Sequence, residues 1–430
     1  MVVTAAGTGI NLALGVLYTW SIFKSAIRLS MEQGGTGAFS WDPAALNDPY
    51  AVCVLVFACT MVLAGRCQDR FGPRVAALIS GALVGLGFVW ISQSTNYWVW
   101  VAGFGVLVGA GIAFGYSAAT PAALKWFPPN RTGSITGIVV SGFGLASVYI
   151  APLATWMLIA WGLSGAMLFF GIAFFLVVSL LALLLVRPPQ GFTPAGFVDR
   201  RQNAAVRGAI EDADVPPSRM LRRPLFWLLW ALYFIGAGAG LMVIGSIAGM
   251  AKQSLAEQAF VAVALLAVGN AAGRIVVGML SDRIGRKNTL GGVLLVQALF
   301  MFGAIPVVAA GSHAVLLVLV MVGIGFNYGA NLALFPAFAK DLWGIKNFGV
   351  NYGLLFTAWG IGGFVLSRVS EVLKTTSGGF TASFVVAGAL LVAGASMVLL
   401  IHDPKCEARR RVAKDRRTRE PPFGAGRSAA

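Results

Sequence analysis

The chain has 430 residues, of which 58% are hydrophobic and only 11% charged. A soluble domain carries about 25% charged residues, so this composition excludes an ordinary globular protein and points to a bilayer. The net charge of +16 would suit a nucleic-acid binder, but the basic residues cluster at the ends of apolar runs, so no nucleic-acid partner is expected.

Apolar runs long enough to cross a hydrocarbon core recur from end to end. They predict twelve spans, at 4–29, 50–68, 75–94, 97–126, 135–160, 164–186, 224–250, 257–280, 289–311, 313–340, 349–373 and 380–401. The runs are continuous, without the alternation of a barrel strand, so each reads as a helix. The first has no basic stretch before it and is longer than a signal-peptide core, so it reads as a true span. The expected class is therefore an all-α integral membrane protein.

With both termini on one side, that side collects Arg66, Arg70 and Arg74, then Arg187, Arg200, Arg201, Arg207, Arg219, Arg222 and Arg223. It also collects the tail run Arg409-Arg410-Arg411 with Lys414, Arg416, Arg417 and Arg419. The opposite side has Lys24, Arg28, Lys252, Arg368 and Lys374. Basic residues stay in the cytoplasm, so both termini are placed there, in a bacterial inner membrane, with lipid as a partner. The expected domains are a six-helix bundle at 1–186, a cytoplasmic linker at 187–223, a second bundle at 224–401 and a basic tail at 402–430.

Cys53, Cys59, Cys67 and Cys406 form no CxxC pair, and His313 and His402 stand at span edges. No metal site, cofactor or titratable cluster is expected, and the chain does not read as an enzyme.

In chain order, span one carries Tyr18-Thr19-Trp20-Ser21-Ile22-Phe23-Lys24-Ser25. Lys24 is either a coupling residue in a cavity or part of an outer aromatic belt. Span two ends in Gly65-Arg66-Cys67-Gln68-Asp69-Arg70-Phe71-Gly72. Span four is thinned by glycines and presents Tyr116. Span five is rich in Gly and Ser, as close-packing helices are. The segment 187–223 is too polar and Pro-rich to span; it reads as a tether with a short amphipathic piece.

Span eight holds Gly269-Asn270-Ala271-Ala272-Gly273-Arg274, and Arg274 is the sole charge in its apolar run. A charge at a helix centre costs about 2.5–3.5 kcal/mol on insertion scales, so it marks a partner or a wet cavity. Arg274 is about 10 Å of helix rise from the inner end, so it either snorkels to the headgroups or binds an anion. Asn270 lies one turn away on the same face. Span ten repeats the glycine and tyrosine pattern with Tyr328, followed by Asn331. Span eleven places Phe356 and Trp359 three apart on one face. Each tyrosine and aromatic is equally readable as packing or as a ligand contact.

Gly65, Asp69, Arg70 and Gly72 recur as Gly278, Asp282, Arg283 and Gly285, at a constant offset of 213 residues. Each copy follows the second span of a six-span half, the mark of a parallel duplication. Asp69, Arg70, Asp282 and Arg283 are expected to latch the cytoplasmic side. This repeated G-x-x-x-D-R-x-G pattern resembles the loop motif of the major facilitator superfamily. The resemblance implies twelve transmembrane helices in two six-helix bundles with a parallel pseudo-two-fold repeat, around a cavity that opens to each side in turn.

N-A-A-G-R-I on span eight, Y-T-W-S-x-F on span one and N-Y-G-L-L-F-T-A on span eleven resemble the oxalate/formate antiporter and monocarboxylate transporter group. In that group an arginine on span eight binds the substrate carboxylate, a role the resemblance gives to Arg274. The oxalate exchangers also have a lysine on span eleven where this chain has Trp359. The animal lactate carriers have an acidic residue where this chain has Asn270. One arginine suits one carboxylate. The expected function is proton-coupled symport of a small monocarboxylate such as L-lactate, by a monomer. Its substrate would lie on Arg274, Asn270, Tyr116, Tyr328, Asn331, Phe356 and Trp359. Oxalate/formate-type exchange is the alternative.

Overall fold

The computed structural model describes residues 1–35, 37–189, 192, 214–255, 259–310, 314–377 and 379–401. Arg200, Arg201, Arg207, His313, His402, Cys406 and the basic tail lie outside the described residues. The described elements are helices, with no strand among the described residues. Among the described residues, eleven helical segments are long and apolar enough to cross a membrane.

Eleven segments make twelve crossings because spans five and six are continuous. The helix Thr132–Leu183 runs for 52 residues but breaks at Gly162, which has φ 67° and ψ −177°. A straight helix of that length would measure about 78 Å, more than twice the hydrocarbon core. Both of its ends lie on one side. Thr132 accepts a hydrogen bond from Lys340 (2.9 Å), and the Val186 carbonyl accepts one from the Trp126 indole (3.1 Å). The chain therefore turns back at Gly162, where glycine tolerates the positive φ.

Span one is also interrupted. Val2–Leu14 and Trp20–Gln33 are α-helical, and Gly15–Thr19 is a 3-10 turn. The tighter winding falls where span one meets span five: a Cβ at Gly15 would press on the Phe143 carbonyl at 2.6 Å. Tyr18 lies on this turn, which sets the direction of its side chain. Span four opens with Tyr97–Trp100, widens to a π-helix over Val101–Val108, and continues as Gly109–Leu124. Such local rewindings re-aim side chains and cluster at functional sites.

The two halves meet along spans two and eleven and along spans five and eight. Span two (Asp48–Phe71) and span eleven (Phe348–Ser377) cross at Gly65, Gly349 and Gly353. Span eight (Ala259–Ile284) is pressed between span five and span ten (Ala314–Trp343). Leu63, Leu86, Leu180 and Leu299 stay exposed on the outer surface, as lipid-facing residues do.

The described part of the linker segment begins at Asp214 and contains the short helix Pro217–Leu221. It is tied to the inner ends of spans ten and eleven. Asp214 accepts from the N–H groups of Ile345 and Lys346 at 3.0 Å each, and Asn351 donates to the Val215 carbonyl at 2.9 Å.

Candidate functional site

Arg274 is fully buried. Helical side chains lean toward the N-terminus of their helix, and on span eight that direction leads away from the end that carries Asp282. The guanidinium follows it. Its Nε donates to Asn270 Oδ1 at 2.9 Å, and its Nη1 donates to the Val140 carbonyl of span five at 2.5 Å. The headgroup is thus held at mid-span, and the snorkelling alternative does not describe it. Its Nη2 has no partner. Among the described residues the ion pairs are Arg286–Asp282, Arg286–Asp341 and Arg368–Glu371, none of them at Arg274.

Glycine makes this placement possible from both sides. A Cβ at Gly137 would collide with the Arg274 carbonyl, and one at Gly273 would collide with the Phe326 carbonyl of span ten. The three helices approach to backbone contact, which exposes the Val140 carbonyl to the guanidinium.

Around the arginine stands a wall of aromatic side chains, each at most 3% exposed among Tyr116, Tyr328, Phe356 and Trp359. Phe356 and Trp359 stack at 4.9 Å with an interplanar angle of 25°. Phe57 of span two touches both, at 5.0 and 5.4 Å. The Trp359 indole donates to the Tyr328 hydroxyl at 2.9 Å, and that hydroxyl also shares a 3.1 Å hydrogen bond with Tyr18. Residues from spans one, two, four, five, eight, ten and eleven therefore converge, drawn from both halves of the chain.

Of the residues named from the sequence, Arg274, Asn270, Tyr116, Tyr328, Phe356 and Trp359 come together here. Asn331 stands apart. It donates to Gln297 Oε1 (3.2 Å) and to the Asn327 carbonyl (2.9 Å), between spans seven, nine and ten. Lys24 lies six residues beyond Tyr18, half-buried, with Arg28 and Glu371 as its charged neighbours. The structure does not bring it to the aromatic wall.

Several residues of the site escaped the sequence. Tyr352 sits one helical turn before Phe356, so the period of span eleven already placed it on the same face. Tyr233 of span seven carried no sequence flag beyond being a tyrosine in an apolar helix. The Val140 carbonyl carries no side-chain signature at all.

At the ends of spans two and eight the two motif copies each reach into the other half. Asp69 accepts from the N–H groups of Gly349 and Val350 at 3.1 Å each, at the start of span eleven. Asp282 accepts from the N–H of Gly133 (2.8 Å), the N–H of Ser134 (2.7 Å) and its hydroxyl (2.6 Å), at the start of span five. Each carboxylate satisfies open amides at a helix N-terminus, where the helix dipole favours negative charge. Arg286 ties Asp282 (2.7 Å) to Asp341 (3.0 Å). Arg70 and Arg283 take no part in these caps: both are exposed, and Arg70 lies over the Phe71 ring.

The chain matches the Major Facilitator Superfamily over residues 2–367 and 242–427. It is 25% identical to the oxalate:formate antiporter of Oxalobacter formigenes over 389 residues, 90% of this chain and 88% of that relative. It is 26% identical to monocarboxylate transporter 13 of Rattus norvegicus over 412 residues, 93% of this chain and 88% of that relative. Among solved structures, the proton:xylose symporter XylE bound to 6-bromo-6-deoxy-D-glucose superposes with a TM-score of 0.71. That match covers 93% of this chain and 95% of the other at 14% identity, a likeness of fold. With its twelve crossings, its duplicated loop motif and its cross-capped halves, this multi-pass membrane protein belongs to the Major Facilitator Superfamily.

Proposed function

We propose that this chain moves small monocarboxylates such as L-lactate across the membrane by alternating access, with the carboxylate bound by Arg274 and protons as the coupling ion. The observation that carries the reading is the buried guanidinium with a free Nη2 and, among the described residues, no ion-paired carboxylate. A cation so placed in a low-dielectric interior needs a counter-charge. A carboxylate ligand supplies one, with charge-assisted hydrogen bonds. The relatives named for monocarboxylate and oxalate/formate transport agree with an organic anion.

Trp359 favours one carboxylate over two. It stands where the oxalate exchangers are expected to carry a lysine, so a second carboxylate would meet an indole and the Phe356 ring. Asn270 fixes the arginine, Tyr116 and Tyr328 face the anion, and Phe356 and Trp359 cover its apolar end. In the cycle, the two bundles rock about the bound anion while the Asp69 and Asp282 caps open and close.

In this scheme the bundles are 1–186 and 224–401, joined by the linker, with both termini in the cytoplasm of a bacterial inner membrane. The protein works as a monomer. Asn270 cannot titrate, so proton coupling runs either through Lys24 or through a reorientation that requires the charge of Arg274 to be neutralised.

The test is uptake of labelled L-lactate into proteoliposomes, with and without an inward proton gradient, for wild type, Arg274→Ala and Arg274→Lys. Gradient-driven uptake that vanishes in the alanine variant supports the reading. The lysine variant keeps the charge but gathers its donors on one nitrogen and loses the planar fork that spans Asn270, the Val140 carbonyl and a bidentate anion, so its KM should rise at least about tenfold. Oxalate–formate exchange without lactate uptake would establish the antiporter alternative. Normal transport by Arg274→Ala would move the binding site elsewhere.

A further inference from the structure

We propose that Gln297 is a positioning residue for the transport site. From span nine (Arg286–Ala310) it fixes the rotation of span ten, and so holds the Tyr328 hydroxyl between Tyr18 and Trp359. The inference rests on the reading that the substrate binds at Arg274 and the aromatic wall beside it.

None of the wall residues comes from span nine, whose Leu295, Val296, Leu299 and Phe302 are exposed on the outer surface. Gln297 is its sole polar side chain between 290 and 310, and it is fully buried. An amide in a bilayer helix is costly unless it is satisfied, and a leucine would fill the place without that cost. This amide is satisfied by two other helices. Its Nε2 donates to the Gly236 carbonyl of span seven at 3.1 Å, and its Oε1 accepts from Asn331 Nδ2 of span ten at 3.2 Å. The same Nδ2 donates to the Asn327 carbonyl at 2.9 Å, which folds the Asn331 side chain back along its own helix. Asn331 therefore holds span ten in register with spans seven and nine.

Tyr328 lies one turn before Asn331 and packs into the same groove. Gly236 and Gly240 stand four apart on span seven, so they share a face. A Cβ at Gly236 would come within 2.6 Å of Asn331 Oδ1. A Cβ at Gly240 would come within 2.8 Å of the Tyr328 ring and 3.3 Å of Gln297 Nε2. The glutamine amide and the tyrosine ring thus sit side by side on one glycine. At the far end of that ring, the hydroxyl accepts from the Trp359 indole at 2.9 Å and shares a 3.1 Å hydrogen bond with Tyr18, a contact between the two halves. The Gln297–Asn331 pair and the Tyr328 hydroxyl therefore fix one helix rotation from two sides. A turn of span ten that parts the amides also swings the hydroxyl away from its partners.

The experiment measures L-lactate uptake into proteoliposomes by Gln297→Leu, Asn331→Leu, Tyr328→Phe and the Gln297→Leu/Tyr328→Phe double variant, at equal amounts of monodisperse protein. Gln297→Leu and Tyr328→Phe should each lower kcat/KM by about tenfold, the scale of one buried hydrogen bond. The double variant should fall no further than about tenfold, where independent sites would multiply to about a hundredfold. Asn331→Leu should match Gln297→Leu. Gln297→Glu is the conservative rescue. Protonated, its carboxyl donates to Gly236 and accepts from Asn331 as the amide does; ionised, it has no donor. Its uptake relative to wild type should recover as pH is lowered through the new carboxyl's pKa. Spin labels on spans two and eleven, at the ends remote from Asp69, read the contact between the halves without substrate. Their distance distribution should broaden alike in Gln297→Leu, Tyr328→Phe and the double variant. Wild-type uptake and distances in Gln297→Leu, or a double variant whose losses multiply, overturn the positioning role and leave the carboxylate reading standing. Broadened distances in a protein whose wild type ignores lactate overturn the lactate reading and leave the positioning role standing.

Discussion

Asp282 of span eight caps span five: its carboxylate accepts from the Gly133 and Ser134 N–H groups at 2.8 and 2.7 Å. The pseudo-symmetric cap, Asp69 on Gly349 and Val350, has two bonds at 3.1 Å each. Asp282 has in addition the Ser134 hydroxyl and Arg286. The two caps are alike in design and unequal in their number of bonds.

Asp282→Asn should therefore loosen its contact between the halves more than Asp69→Asn loosens the other. Charge-assisted hydrogen bonds contribute about 1.5–3 kcal/mol each, and the asparagine amide keeps one acceptor of the two. Hydrogen exchange at residues 133–137 should quicken in the first variant, and at residues 349–353 in the second. Equal exchange in both variants would contradict the inequality.

Gly65→Ala and Gly278→Ala should hold spans two and eleven, and spans five and eight, apart. A Cβ at Gly65 would collide with the backbone of Gly349, and one at Gly278 with the Gly133 carbonyl. Backbone cannot step aside as a side-chain tip can. Spin-label distances between the inner ends of spans two and eleven, or five and eight, should lengthen by about 2 Å or more, with transport lost. Unchanged distances with normal transport would show that these helices part freely.

Asn270→Asp should make lactate uptake steeply pH-dependent. The new carboxylate would stand 2.9 Å from Arg274 Nε in the place of Oδ1 and compete with the substrate for the guanidinium. When ionised it suppresses anion binding; when protonated it releases the arginine. Uptake should therefore fall as pH rises above the new carboxyl's pKa and recover as pH is lowered through it. A pH profile unchanged from that of wild type would show that the substrate does not depend on the free charge of Arg274.

Trp359→Lys should shift preference from lactate toward oxalate, because a second cation would stand where the indole now stacks on Phe356. It also removes the donor to Tyr328, so absolute uptake should drop. The oxalate-to-lactate uptake ratio, measured in the same proteoliposomes, should rise at least about tenfold. A ratio that stays constant would remove Trp359 from specificity.

The twelve crossings were legible because hydrocarbon thickness imposes a run length on every span, and the predicted bounds agree with the helices to within a few residues. Asp69 and Asp282 were legible as a pair because the motif repeats at a constant offset. Arg274 and Asn270 were legible as a polar pair one turn apart in an otherwise apolar helix. Which partners surround them was decided by contacts between distant spans. The Val140 carbonyl reaches Arg274 because glycines let spans five and eight touch. Tyr18 reaches Tyr328 because span one rewinds at Gly15–Thr19. Asn331 turns to Gln297, although it was expected among the substrate contacts. Local sequence sets helix length, face and charge, because those depend on neighbours along the chain and on the bilayer. Whether a buried hydroxyl meets a partner or stays open for a ligand depends on helix rotation and close approach, which only the packed structure determines.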